Sequence, residues 1–129
     1  MSIQSQIEVR FVCKADGQTV PFDYIKLIRS VQHALDTIEM DEYGLADDIA
    51  NLVYICLTKE FPGGRVTTGQ ISLVIERILR ETGFDVAARN YSFYNEKRDF
   101  IRKSIEVRAK IIQKNVFQRG HQVGQRSMS

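Results

Sequence analysis

Tryptophan is absent from the 129 residues, and cysteine, histidine and proline occur only twice each. Cys13 and Cys56 lie far apart with no CxxC pair, which excludes a disulfide framework or a zinc ribbon and leaves two buried thiols as the reading. His33 and His121 stand apart from each other and from any cysteine, so no set of three or four transition-metal ligands is expected and no structural metal is read. Neither histidine accompanies a recognisable nucleophile elbow, so nothing marks the chain as an enzyme. With only two prolines and eight glycines, the composition is that of a folded chain. No apolar run approaches the roughly 18–20 residues that span a bilayer. The start, MSIQSQIEVRF, alternates polar and apolar residues instead of placing a basic flank before a greasy stretch, so a cytoplasmic address and no membrane partner are expected.

What is present suits one compact domain: 43% hydrophobic and 26% charged residues in 14.8 kDa. The formal charge of +2 hides an asymmetry, because residues 1–96 carry −5 and residues 97–129 carry +7. A basic arm of this kind suits an acidic partner, a nucleic-acid backbone, the acidic body of a neighbouring copy, or simply a solvated helix face.

Along the chain, EVRFVCK alternates with Val9, Phe11 and Cys13 on one side and Arg10, Val12 and Lys14 on the other, the period of a strand. Asp16-Gly17 turns it, and Gln18 to Phe22 returns, so residues 7–22 are expected to form a β-hairpin with Pro21 marking an edge strand. Asp23 caps a first helix striped by Ile28, Val31, Leu35 and Ile38 and ending near Met40. A second helix is expected over 46–60, stopped by Phe61-Pro62-Gly63-Gly64. Arg65-Val66-Thr67 reads as an extended connector, and Thr67 or Thr68 caps a third helix that Gly83 ends. Asp85 starts a fourth helix that reaches Lys110 or a little beyond, and the remainder from about Val116 is expected to be frayed or disordered. The expected class is therefore α+β, a short N-terminal hairpin forming a lid packed on a bundle of about four helices.

Two pairs of acids, Asp41-Glu42 and Asp47-Asp48, sit at expected helix starts, where the helix dipole favours negative charge without any acid–base role. Gly63-Gly64 lacks the Gly-Lys-Ser/Thr ending of a phosphate loop. More informative is a lysine before the hairpin turn, another in the first turn of the next helix, and a threonine at the start of the third helix: Lys14, Lys26 and Thr68. If the hairpin folds over the helix ends, two ammonium groups and open helix-start amides converge on a polyphosphate while Val12 helps enclose a base.

Val12-Cys13-Lys14-Ala15-Asp16-Gly17 followed by Val20-Pro21-Phe22-Asp23-Tyr24-Ile25-Lys26-Leu27 resembles the opening V-x-K-R-D-G…V-x-F-D-x-x-K-I of the ATP-cone domain. Val66-Thr67-Thr68-Gly69-Gln70-Ile71 resembles the family's V-x-T-x-x-I, and Val86-Ala87-Ala88-Arg89 through Tyr94 its V-A-x-R-x-x-x-x-Y. The likeness covers about residues 8–103, leaving 1–7 as an N-terminal extension and 104–129 as a basic helical extension with a disordered tail. ATP-cones are regulatory, non-catalytic modules of ribonucleotide reductases and of the repressor of reductase genes, and they bind ATP or dATP to change oligomeric state.

The resemblance implies ATP or dATP, with or without Mg2+, as a regulatory ligand. Val12 and Lys14 would belong to the lid, and Lys14 and Lys26 would contact phosphates. Thr68 and its neighbour Ser72 would reach the nucleotide from beneath. Tyr94, Lys97 and Arg98 would add aromatic and basic contacts, although for Tyr91 and Tyr94 core packing is an equal reading. Ala15 stands where the family has an arginine, and Asn95 where an arginine often follows the tyrosine. With no reductase barrel and no zinc ribbon in the sequence, the chain reads as a free-standing cone. It would form a homo-oligomer or act in trans on a ribonucleotide reductase. The alternative is a degenerate cone that binds an acidic protein or nucleic acid through residues 97–129.

Overall fold

A computed structural model describes residues 8–127 of the chain, with side chains as far as residue 115. It divides into two units, Met1–Phe93 and Tyr94–Ser129. The expected extension at 1–7 lies outside the described residues.

In the first unit, β1 (Phe11–Cys13) pairs antiparallel with β2 (Thr19–Pro21), and Val12 stands opposite Val20. The turn between them closes with the Lys14 amide donating to the Gln18 carbonyl at 2.7 Å, and Gly17 adopts φ 89°, the left-handed region that an L side chain resists. The hairpin and its edge strand are as expected. Arg65–Thr67, read from sequence as a connector, is a third strand, β3, parallel to β1 with Val66 beside Val12, so the sheet order is β2-β1-β3. Gly64 makes this pairing possible: at φ 79° its carbonyl accepts the amides of Arg10 at 2.8 Å and Phe11 at 2.9 Å. A Cβ there would lie 3.3 Å from the Glu8 carbonyl oxygen.

Four helices follow in chain order: α1 (Tyr24–Asp36), α2 (Leu45–Glu60), α3 (Thr68–Glu81) and α4 (Asp85–Ser127). The α+β class stands. Helix α1 stops before Met40 because the chain turns back at Glu39, φ 57°, and the Met40 amide donates to the Leu35 carbonyl at 3.0 Å. Its buried stripe is Leu27, Val31, Ala34 and Leu35, with Ile28 and Ile38 only half-buried. Gly83, φ 93°, ends α3 as expected, with the Phe84 amide on the Leu79 carbonyl at 2.7 Å.

Helix α2 packs against both α1 and α3. The core between them holds Leu35, Ile49, Val53, Leu57, Ile75 and Leu79, each at most 2% exposed. Val12 and Val66 seal it from the sheet side, and Ala88 and Tyr91 of α4 complete it. Arg77 on α3 pairs with Glu60 on α2, and Asn90 on α4 donates to the Thr37 hydroxyl at 3.1 Å.

The second unit is the continuation of α4. Its backbone is helical to Ser127, where the sequence reading expected a frayed or disordered tail from about Val116. The segment contains no proline, and Gly120 and Gly124 each cost a helix only about 1 kcal/mol relative to alanine. The side chains from 116 on lie outside the described residues.

Candidate functional site

An open groove of about 600 Å³ runs beside the edge strand and the start of α1, lined by Lys14, Val20, Pro21, Phe22, Asp23, Tyr24, Ile25 and Lys26. That volume is in the range of small-molecule sites, roughly 300–1,000 Å³. Lys14 and Lys26 therefore share one depression, and both are exposed. The hairpin delivers Lys14 because it is the first residue after β1, and the Asp23 cap delivers Lys26 by opening α1 three residues before it.

The start of α1 is less open than the sequence suggested. The Asp23 carboxylate accepts the amides of Ile25 at 3.0 Å and Lys26 at 3.3 Å, so these amides are already satisfied by an anion. In the groove the cationic character comes from the two ammonium groups instead. At the start of α3, Thr67 rather than Thr68 is the cap. Its hydroxyl accepts the Gln70 amide at 3.0 Å and its own amide donates to the Gln70 side chain at 2.9 Å. The box takes two of the four amides that a helix start leaves unpaired within the helix, and Thr68 and Gly69 supply the two between.

Parallel pairing of Cys13 with Thr67 sends Lys14 and Thr68 off the same end of the sheet. Thr68 is exposed and Ser72, one turn on, is half-buried; neither lines the groove. Val12 is 8% exposed and belongs to the core, so packing engages most of its side chain. Tyr94, Lys97 and Arg98 belong to the second unit, where the Arg98 guanidinium lies 5.8 Å from the centre of the Tyr94 ring. Tyr91 is 6% exposed and packs in the core. Cys13 and Cys56 are free and half-buried.

Sequence reasoning gave no role to the aromatic group beneath the groove. Phe22 and Tyr24, both groove-lining, pack on Tyr54 of α2 with ring centres 5.5 and 5.7 Å away, the second edge-on. The Tyr54 hydroxyl in turn accepts the Val9 amide at 3.3 Å, tying the sheet to α2. Partial burial, then the Asp47 carboxylate, then Tyr54 push the Tyr24 phenol above its ordinary pKa, so it stays a neutral donor at physiological pH. Phe22 was visible only as a motif letter and Tyr24 only as one of the motif's variable positions, and Tyr54, thirty residues beyond Tyr24, carried no local signal.

The ATP cone domain model matches residues 10–100, most of the chain and the whole of this hairpin, groove and helical core. The chain belongs to the ATP-cone family. An ATP-cone is a nucleotide-binding regulatory domain rather than a catalytic one, and this identity agrees with two lysines facing one open groove. The comparison with individual curated proteins finds no match. Among the described residues of this ATP-cone, no three His, Cys, Asp or Glu are grouped to hold a metal ion, and no helix is long and apolar enough to cross a membrane.

Proposed function

We propose that the groove seats the polyphosphate of ATP or dATP, with Lys14 and Lys26 as its charged contacts and the Phe22–Tyr24 floor as an apolar wall. Thr68 and Ser72 approach the nucleotide from α3, Val12 braces the lid from the core, and Tyr94, Lys97 and Arg98 add aromatic and basic contacts. Mg2+, where it accompanies the nucleotide, travels on the phosphates. Bound nucleotide orders the hairpin and, by binding one state of the protein more tightly than another, shifts an oligomerisation or partner-binding equilibrium. The chain then works as a cytoplasmic sensor acting in trans on a ribonucleotide reductase or a related system.

The observation that carries this reading is the convergence of Lys14 and Lys26 on one groove within a chain of the ATP-cone family. A ligand at about 100 times its dissociation constant stabilises the folded state by about 2.7 kcal/mol. Millimolar ATP or dATP is therefore expected to raise the melting temperature of the full chain, and the Lys14→Ala, Lys26→Ala double variant is expected to lose the rise. A wild-type melting curve that ignores both nucleotides would refute the proposal.

A further inference from the structure

The second unit carries an apolar surface that the nucleotide groove does not use. At roughly 100° per residue, Phe100, Ile101, Ile105, Val107, Ile111 and Ile112 fall within about 160° of arc on α4. They are 46–72% exposed, and the family match ends at residue 100, just as the face begins. Lys97 and Arg108 fall inside the same arc and are also exposed. A second α4 laid on this face in register, either parallel or antiparallel about the middle of the face, would press those cations against the same two cations of its mate. Desolvating like charges opposes that contact. The occupant must bring carboxylates together with hydrocarbon.

The first unit presents such a surface. Residues 36–48 hold six exposed carboxylates, among them Asp41, Asp47 and Asp48, with no lysine or arginine between them. Tyr43, in their midst, is fully exposed. Asp48, Leu52 and Ile55 follow one another on a single face of α2, with Leu52 43% and Ile55 39% exposed. The −5 of residues 1–96 and the +7 of residues 97–129 are the same complementarity at the scale of the chain.

We infer that the apolar, basic face of α4 docks on the acidic, apolar corner around Asp48 of a second copy of this chain. The exchange is reciprocal, so that a two-fold pair closes. Apart from Lys97, this interface uses none of the residues proposed to contact nucleotide, so it does not rest on the nucleotide reading.

Sedimentation equilibrium on the full chain tests it with two charge reversals, Asp48→Lys and Arg108→Glu, each checked for helicity by circular dichroism. Glu42→Lys, outside any helix, replaces Asp48→Lys should α2 fray. The wild-type chain is expected to dimerise, less tightly as NaCl rises, and each variant alone to dimerise at least about tenfold more weakly. An equimolar mixture of the two variants is expected to regain the dimer. The carboxylate that Arg108→Glu introduces in one copy then meets the ammonium that Asp48→Lys introduces in the other, while the native pair forms at the second contact. Three results would overturn the inference: a wild-type chain that stays monomeric, an acidic-corner variant that pairs as well as wild type, or a mixture that remains monomeric.

Discussion

The Asp23 carboxylate holds the backbone amide of Lys26 at 3.3 Å, so the side chain that opens α1 is an anion standing beside a groove-lining cation. The cap serves folding, while its charge opposes an incoming phosphate. Asp23→Ala is expected to cost about 1 kcal/mol in urea unfolding, whereas Asp23→Asn, an equally good cap, is expected to stay within about 0.5 kcal/mol of wild type. The asparagine variant is also expected to bind ATP more tightly in calorimetric titration. Equal destabilisation by both substitutions would show that charge, not the acceptor oxygen, secures the first turn.

Ala15 follows Lys14 in the hairpin turn and is exposed. Restoring the arginine seen in the family pattern puts a planar guanidinium beside Lys14, able to form two parallel hydrogen bonds to phosphate. At about 1.5–3 kcal/mol for a hydrogen bond to a charged group, Ala15→Arg is expected to lower the dissociation constant for ATP by roughly tenfold or more. The gain should shrink as salt is added. Calorimetry at two ionic strengths measures both effects, and unchanged affinity would place the phosphates away from the turn.

Local chemistry made most of the fold legible, and non-local pairing hid the rest. Asp23, Gly83 and the Asp16-Gly17 turn act within a few residues of themselves, and each does in the structure what its type suggests. Val66 is different. Arg65–Thr67 is a strand only because Phe11–Cys13, more than fifty residues earlier, lies alongside it, and three residues carry too little periodicity to announce that. The end of α1 was obscured because a glutamate, not a glycine, takes the left-handed position at residue 39. At the site, the places of Lys14 before the hairpin turn and of Lys26 in the first turn of α1 were readable from the sequence, and both residues line one groove. The support of Phe22 and Tyr24 by Tyr54 depends on how α2 packs, which no spacing along the chain encodes.

Val12, proposed as part of the lid, belongs to the core. It is 8% exposed, faces the core, and stands between Val20 and Val66 in the sheet. Truncating a buried aliphatic side chain removes transfer energy and leaves a cavity, so Val12→Ala is expected to cost about 1–3 kcal/mol in urea unfolding without nucleotide. A side chain serving only as a lid would leave the apo protein's stability unchanged and reduce ATP affinity alone. Measuring both quantities on the one variant separates these roles.

Glu60 and Arg77 join α2 to α3 through paired hydrogen bonds between exposed side chains, with Glu81 3.9 Å from Arg77 on its other side. The Arg77 hydrogen bond, aided by its charge and opposed by desolvation, holds the Glu60 carboxyl below its ordinary pKa. The folded state thus binds this proton less readily than the unfolded chain does. The resulting stability is present above the unfolded carboxyl's pKa and disappears as pH falls through the folded value. In urea unfolding below about pH 5, wild type is expected to lose stability more steeply than Glu60→Gln. Because both partners are exposed, the difference is expected to be small and to fade in high salt. Parallel pH profiles for the two proteins would mean that the ion pair adds nothing to the α2–α3 contact, leaving that junction to Leu57, Ile75 and Leu79 in the core beneath.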